Sequence, residues 1–378
     1  MAVDSLAGRH ADALLTGAVT TRSELPQSRR IVIKVGSKAL AADGDLQQSF
    51  AEQLAALAEP KRGFVLVTSG AIAFGMSRLG YRTRPTETGK LQAAAAAGQS
   101  VLMRRWDEAF TARGLTVAQV LLTHDDLADR ERVNNARDAF AELLEAGAIP
   151  VVNENDTVST AEIRLDNDQL AAMVAPLVSA DLLILLTDVE GVLDTNGKRI
   201  SLMSDDAELG TVIQSGERLG SGGIHSKLDA ANKACHSGAS VVIAQASRPH
   251  VIRDIVAGAD VGTLVPRRAA LRARQHWIAY TLRPRGTVLV DAGAEKALRG
   301  GKSSLLPVGV LGVRGEFNAG DAVKLVGASG NDIGRGLSRL GALDVSRAAG
   351  KQLSELEVAF GGDAKDIVVV HKDDLVLA

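Results

Sequence analysis

The chain has 378 residues, 46% of them apolar, and its 43 basic and 45 acidic side chains give a formal net charge of -2. This length suggests two domains with sizeable cores, and the balanced charge provides no global field that would draw the protein to nucleic acid or to a membrane surface. Its apolar stretches are strand-sized, below the ~20 residues of a membrane span, and the single cysteine, Cys235, excludes an internal disulfide framework and favours a reducing, cytoplasmic location.

Short β-branched segments alternate with Ala- and Leu-rich segments over the first two thirds of the chain. The predicted strands are residues 30–35, 64–68, 115–122, 148–152, 182–186 and 240–244, and the predicted helices are residues 46–60, 89–112, 131–147, 167–178 and 222–238. This alternation predicts a three-layer α/β sandwich with a mostly parallel sheet over residues 30–265. Residues 1–29 are weakly patterned and predict a loosely docked N-terminal extension.

The pattern changes near Pro266. Residues 266–285 contain six arginines and no acidic residue, and the short alternating segments that follow, with frequent glycine, predict a small β-rich domain. We therefore expect an Arg-rich linker at 266–283, a β-rich domain at 284–361 and a C-terminal tail at 362–378. Twelve Lys and Arg residues balance twelve Asp and Glu residues from position 285 onward, which argues against strong RNA binding.

Small residues follow the first two predicted strands. Gly36 and Ser37 come directly after Lys34 and Val35, and the sequence TSGA occupies residues 68–71. In an open parallel sheet, ligands bind at the carboxyl ends of the strands, where glycines and small hydroxyls let backbone N–H groups approach an anion. Ordinary turn chemistry is the alternative for each segment alone. A lysine at the end of a buried strand is unusual, because its charge must be matched.

A second candidate for phosphate binding is GSGGIHSK at residues 220–227. This glycine-rich segment opens a predicted helix and places Lys227 in the first turn, although a flexible loop capped by Ser221 is an alternative. No G-x-G-x-x-G follows a strand, which disfavours a dinucleotide fold. The seven histidines form no ligand spacing with Cys235, so we expect no metal site built by the protein itself.

Residues 153–168, NENDTVSTAEIRLDND, hold five carboxylates and three asparagines beside a predicted buried strand. A solvated acidic loop is one interpretation, and a site that recognises a charged small molecule is the other. No nucleophile with an adjacent general base is apparent in the sequence. The acceptor of a transferred group would therefore have to be nucleophilic already, as a carboxylate or a phosphate is.

Seven segments, in their order and spacing, resemble the glutamate 5-kinases of the amino acid kinase family: IVIKVGS, VTSGAIAFG, DRERVNNARD, PVVNENDTVSTAEI, DNDQLAA, LLTDVEGV and GSGGIHSKLDAA. The resemblance to these kinases covers residues 30–265, and residues 284–361 resemble a PUA domain. The kinase resemblance implies transfer of the γ-phosphate of ATP, with Mg²⁺ carried by the nucleotide, to the side-chain carboxylate of L-glutamate. The product would be L-glutamyl 5-phosphate, in the first step of proline biosynthesis.

The resemblance also implies roles for individual residues. Lys34, Lys227 and Asp168 would be catalytic, with the carboxylate holding two lysines that stabilise the transferring phosphoryl group. Three residues would bind the amino acid substrate: Ser69, Asp156 and Asn167. Ten residues would bind ATP: Lys34, Thr187, Asp188, Ser221, Gly222, Gly223, Ile224, His225, Ser226 and Lys227.

Three features depart from the family pattern. Lys38 follows Ser37 where small hydroxyl residues are usual, and the nucleotide loop has Ser and Ile in place of Thr and Met. The segment EIRLDND, at residues 162–168, is one residue shorter than a common form. The resemblance further implies a homo-oligomer and feedback inhibition by proline. The alternatives are an amino acid kinase that acts on N-acetylglutamate, aspartate, carbamate or a nucleoside monophosphate, and an RNA-associated accessory protein.

Overall fold

The structure is a computed structural model that describes residues 21–42, 44–158, 166–194, 196–203, 224–352, 355–356 and 367–377. The chain divides between Ala270 and Leu271 into two compact units. No helix within the described part of the chain is long and apolar enough to span a bilayer.

The first unit is built on a seven-stranded sheet. Its strands are β1 (Arg30–Lys34), β2 (Gly63–Val67), β3 (Val117–Leu122), β4 (Ile149–Glu154), β5 (Leu182–Thr187), β6 (Ser240–Gln245) and β7 (Thr263–Val265). They lie in the order β3-β4-β2-β1-β5-β6-β7, and every neighbouring pair is parallel except β6 and β7. The predicted α/β fold with a mostly parallel sheet is therefore confirmed.

Helices cover both faces of this sheet. They are α1 (Ser37–Ala42), α2 (Leu46–Leu57), α3 (Ala71–Arg78), α4 (Thr88–Thr111), α5 (His124–Ala128), α6 (Arg130–Glu145), α7 (Asn167–Leu177), α8 (Ile224–Cys235) and α9 (Val251–Val256). Because successive strand residues face opposite sides, Val32 joins a core with α7 and α8, whereas Ile31 and Ile33 join a core with α2, α4 and α9. Gly147 and Gly238, just beyond α6 and α8, take positive φ angles of 73° and 98°. This is the left-handed backbone conformation that commonly ends a right-handed α-helix, and it favours glycine.

Helices α3 and α4 approach each other at two glycines. A Cβ on Gly75 would lie 1.7 Å from the carbonyl oxygen of Ala94, and one on Gly98 would lie 1.8 Å from the carbonyl oxygen of Ala71. Real Cβ atoms do not come so near to another heavy atom, so glycine alone fits at both positions. This contact fixes α4 against the helix that begins just after β2.

The described part of the N-terminal extension is held firmly. Arg22–Gln27 form a short 3-10 helix in which Leu25 is completely buried. The guanidinium of Arg22 donates to four backbone carbonyls, among them that of Gly262 at 2.8 Å. The expected loose docking is therefore wrong for this segment, because burial and hydrogen bonds hold it. Residues 1–20 lie outside the described residues.

The second unit contains a five-stranded sheet with the order β12-β11-β10-β8-β9. Its strands are β8 (Gly286–Val290), β9 (Val310–Gly315), β10 (Ala322–Gly327), β11 (Asp332–Ser338) and β12 (Val370–Leu377), and its helices are α10 (Ala273–His276), α11 (Ala292–Arg299) and α12 (Ala342–Ala348). Strands β8 and β10 are parallel, and the other pairs are antiparallel. The predicted small β-rich domain is confirmed.

Two boundaries of this unit differ from the expected ones. The predicted linker contains α10 and a π-helical turn at Trp277–Thr281, and Arg335 donates to a carbonyl of that turn at 2.9 Å. The predicted tail contains β12, which pairs antiparallel with β11. Arg274 also joins α10 to β12 through a 2.6 Å ion pair with Asp374. The predicted linker from Leu271 onward and the β12 part of the predicted tail therefore belong to the second unit.

Candidate active site

The carboxyl ends of β4, β2, β1 and β5 lie side by side in the first unit. Lys34 ends β1, Ser69 follows β2 by two residues, and Thr187 ends β5. Most of the described residues that the resemblance assigns to a site lie at this edge or in the first turns of α7 and α8. Side-chain contacts place five of them in two clusters.

The first cluster consists of Lys34, Asp168 and Lys227. The Lys34 ammonium lies 2.7 Å from one carboxylate oxygen of Asp168, and the Lys227 ammonium lies 2.8 Å from the other. The three residues are 5%, 1% and 8% exposed, respectively. These three side chains together carry one net positive charge, and the carboxylate of Asp166 lies near both lysines. Because an ammonium has three donors and each of these two contacts Asp168 through a single oxygen, the cluster is suited to receive an anion.

Gly36 leaves room beside this cluster. A Cβ at Gly36 would lie 3.7 Å from the Lys34 ammonium, so the backbone passes close to that charge. Asp168 and Lys227 are placed by the first turns of α7 and α8. The end of β1 and the first turns of α7 and α8 therefore bring the three charged side chains of this cluster into contact.

Asp166 ties α7 to α8. One of its carboxylate oxygens caps α7 by accepting from the Asp168 backbone N–H at 3.1 Å, and the other accepts from the Ser226 hydroxyl. Burial of the carboxyl opposes ionisation, but these hydrogen bonds and the nearby lysines outweigh it and lower the pKa of Asp166. Gln169 adds a link by donating to the Ser226 carbonyl at 3.1 Å. The capping pattern of Asp166 is the sequence signal that could have identified this residue.

The second cluster is neutral. The Asn167 side-chain nitrogen donates to the Ser69 hydroxyl at 2.7 Å and to the Asn153 side-chain oxygen at 3.3 Å. Asn153 is 2% exposed and donates in turn to the Gln99 side-chain oxygen at 2.9 Å. Ser69 and Asn167, both expected to bind substrate, are therefore in direct contact. Sequence reasoning missed Asn153 and Gln99, because their contact joins β4 to a helix 54 residues earlier.

Thr187 and Asp188 lie at the end of β5, where the resemblance expects nucleotide contacts. The Thr187 hydroxyl donates to the Asp188 carboxylate at 3.1 Å. The backbone N–H of Asp188 is the main cause of a lowered pKa of that carboxyl, and burial opposes the effect only partly. Lys38, the unusual residue of the first loop, extends into solvent, where its ammonium lies 3.7 Å from the same carboxylate.

The remaining predicted site residues are only partly described. Asp156 is half-buried two residues beyond β4, and Ile224, His225 and Ser226 form the first turn of α8 together with Lys227. Ser221, Gly222 and Gly223 lie outside the described residues. Within the described ranges, no group of three His, Cys, Asp or Glu residues could hold a metal ion.

The sequence also matches known families. The model of the Amino acid kinase family matches residues 29–245, more than half of the chain, and that of the PUA domain matches residues 286–359. The chain belongs to the amino acid kinase family. The family resemblance stated from sequence is thereby confirmed, and so is the PUA domain.

Relatives of this amino acid kinase resemble it over nearly its whole length. It is 44% identical over 371 residues to "Glutamate 5-kinase" of Pseudomonas putida (strain GB-1), covering 94% of this chain and 100% of that protein. It is 42% identical to "Glutamate 5-kinase" of Trichlorobacter lovleyi, covering 98% of that protein. Among solved structures, N-acetylglutamate synthase from Neisseria gonorrhoeae, complexed with coenzyme A and N-acetyl-glutamate, has a TM-score of 0.51 and 19% identity over 65% of this chain and 61% of that one. At that identity the likeness shows the fold alone.

Proposed function

We propose that this kinase transfers the γ-phosphate of ATP to the side-chain carboxylate of L-glutamate, giving L-glutamyl 5-phosphate for proline biosynthesis. The observation that carries the proposal is the placement of two clusters on consecutive residues of α7. Asp168 belongs to a buried cationic cluster suited to phosphate, and Asn167 belongs to a neutral polar cluster suited to an amino acid. Relatives named glutamate 5-kinase, similar over nearly the whole chain, support the choice of acceptor.

Phosphoryl transfer to a carboxylate requires mainly that the substrates are aligned and that negative charge is stabilised. A carboxylate acceptor is already nucleophilic, so no general base is needed and catalysis rests on alignment and electrostatic stabilisation. Lys34 and Lys227 supply positive charge for the transferring phosphoryl group, and Asp168 keeps these two mutually repelling cations in place. Mg²⁺ carried by ATP adds further positive charge at the phosphates.

The remaining residues divide between the two substrates. Asp156 offers a carboxylate to the substrate ammonium, and Ser69 and Asn167 add neutral contacts that do not repel its carboxylates. For ATP, the proposal assigns Lys34, Thr187, Asp188 and residues 221–227. The proposal also includes a cytoplasmic homo-oligomer that proline inhibits at the glutamate site, because proline shares an α-carboxylate and an amine with glutamate.

A hydroxylamine-trapping assay tests the reaction. Purified protein with Mg²⁺-ATP and hydroxylamine receives glutamate, N-acetylglutamate, aspartate or no acceptor, and an acyl phosphate is trapped as a coloured hydroxamate. We expect colour with glutamate alone, its loss in Lys227→Met, and its retention in Lys90→Met, which removes an exposed lysine paired with Glu87. Colour with a different acceptor would leave a kinase but overturn the assignment of glutamate.

The PUA domain has a structural or regulatory role in this proposal. The equal numbers of basic and acidic residues between position 285 and position 378 give no strong attraction for phosphate backbones. A gel-shift titration of the full chain with tRNA is expected to show no complex at micromolar protein and physiological salt. A tight complex that weakens steeply as salt rises would contradict this role.

A further inference from the structure

The side-chain oxygen of Asn167 is buried and, among the residues that the structure describes, has no hydrogen-bond partner. The nitrogen of the same amide is fully used, because it donates to both Ser69 and Asn153. A buried acceptor without a donor destabilises a fold, so its presence needs a reason. The reason would be a ligand that donates a hydrogen bond.

Which end of the Asn167 amide faces Asn153 depends on a chain of hydrogen bonds that runs from Asn167 through Asn153 to Gln99. Asn153 accepts from Asn167 through its oxygen because its nitrogen is committed to the Gln99 oxygen at 2.9 Å. If Gln99 presented an N–H group instead, both asparagine amides would have to turn round to keep their hydrogen bonds. Asn167 would then present a donor rather than an acceptor.

Gln99 is itself held in place by the packing of α4. The preceding residue, Gly98, lies against the backbone of α3, where no Cβ fits. This contact holds the backbone of α4 at Gln99 in place, and the Gln99 oxygen accepts from Asn153, while the buried Gln99 nitrogen has no partner among the residues that the structure describes. A chain of hydrogen bonds joins α4, β4 and α7 to the turn that carries Ser69.

We propose that Gln99 and Asn153 are positioning residues that give the substrate pocket its hydrogen-bond polarity. Through them Asn167 presents an acceptor, which takes a hydrogen bond from the α-ammonium of glutamate. An ammonium has three donors, so Asn167 and Asp156 bind it together. The Ser69 hydroxyl accepts from the Asn167 nitrogen and so keeps the Asn167 oxygen turned away from Ser69. This inference rests on the proposed function and deepens it.

The test compares glutamate with glutarate, which keeps both carboxylates and lacks the ammonium. Gln99→Met removes the acceptor at nearly constant volume, and Gln99→Glu restores an acceptor for Asn153. In Gln99→Met we expect KM for glutamate to rise about tenfold, the factor that 1.4 kcal/mol represents. The Ki of glutarate against glutamate and KM for ATP should change less than about twofold on the same scale. Gln99→Glu should recover most of the lost affinity.

Gln119→Met makes the same substitution at an exposed position of β3 and serves as the control. A purely structural role of Gln99 would change the constants for glutamate and glutarate equally, and that result, or an unchanged KM for glutamate, would overturn the inference. If Gln99→Met does not fold, Gln99→Ala removes the same acceptor with a better helix former and answers the same question. A wild-type protein that forms no hydroxamate with glutamate would instead overturn the proposed function.

Discussion

Asn167 and Asp168 are neighbours at the start of α7, yet they enter clusters of opposite character. Asp168 lies between two buried ammonium groups, each within 2.8 Å of its carboxylate. Asn167 lies among a hydroxyl and an amide, and its side-chain nitrogen donates to no charged group in the part of the chain that the structure describes. One turn of helix thus supports a charged half and a neutral half of the same site.

The difference shows what each kind of polar group can do. Ammonium groups attract an anion strongly but discriminate little by direction, whereas amides carry no net charge and fix which atoms donate and which accept. The charged half is therefore suited to a phosphoryl group whose charge changes during reaction. The neutral half is suited to distinguishing the ammonium of a substrate from its carboxylates.

The largest effect is expected from Asp168→Asn, which removes the anion of the charged half. Two buried lysines would then face each other, and we expect the free energy of unfolding to fall by about 3–5 kcal/mol. Loss of lysine alignment should lower kcat by about 10²–10³. Thermal unfolding and hydroxamate kinetics measure the two effects. Asp229→Asn, which removes the exposed partner of Lys233, is the control and should cost less than about 1 kcal/mol.

A smaller effect, directed at the neutral half, is expected from Gly98→Ala. The new methyl group would collide with the Ala71 carbonyl and push α4, with Gln99, away from α3. Overpacking of this kind costs about 1–3 kcal/mol, and KM for glutamate should rise more than KM for ATP. Denaturant melts and steady-state kinetics measure both effects.

Gly89→Ala is the matched control on the same helix, because nothing lies within 4 Å of a Cβ there. It should be neutral or should stabilise α4 by up to about 1 kcal/mol. Equal destabilisation by both glycine substitutions would show that the close contact with α3 is not what holds Gln99 in place.

The smallest effect is expected from Ser226→Ala, which removes one link between α7 and α8. The lost hydrogen bond lies at the surface and should contribute less than about 1 kcal/mol at neutral pH, and the pKa of Asp166 should move up towards its ordinary value of 3.8. A lowered carboxyl pKa stabilises the fold above the ordinary value, and this contribution is lost as the pH falls through the lowered one. The difference in stability between wild type and variant should therefore vanish as the pH falls below 3.8. A difference that persists at lower pH would mean that Ser226 acts independently of the Asp166 charge.

The sequence predicted most of the architecture because its strands are short apolar runs with clear ends. It missed β7, whose three residues are too few to show a pattern, and it assigned β12 to a tail. The charged half was predicted from a family resemblance and from the oddity of a lysine at the end of a buried strand. The part played by Lys34 in catalysis remains a prediction.

In the neutral half, the sequence predicted the two residues expected to contact substrate but not the residues that position them. Ser69 and Asn167 lie in motifs, but Gln99 lies in an Ala-rich helix where its composition suggested nothing beyond packing. Its importance depends on which atom of an amide faces Asn153, and neither hydrophobic periodicity nor residue type encodes that direction. Side-chain geometry alone reveals it.

The paired glycines of α3 and α4 also restrict how this protein can vary. Most packing errors in a core can be relieved by a second mutation that shrinks a neighbouring side chain. At Gly75 and Gly98 the atoms that block a Cβ belong to the backbone, so no second-site change of side chain can make room. In a mutational scan, losses at these two positions should therefore lack suppressors elsewhere in the chain.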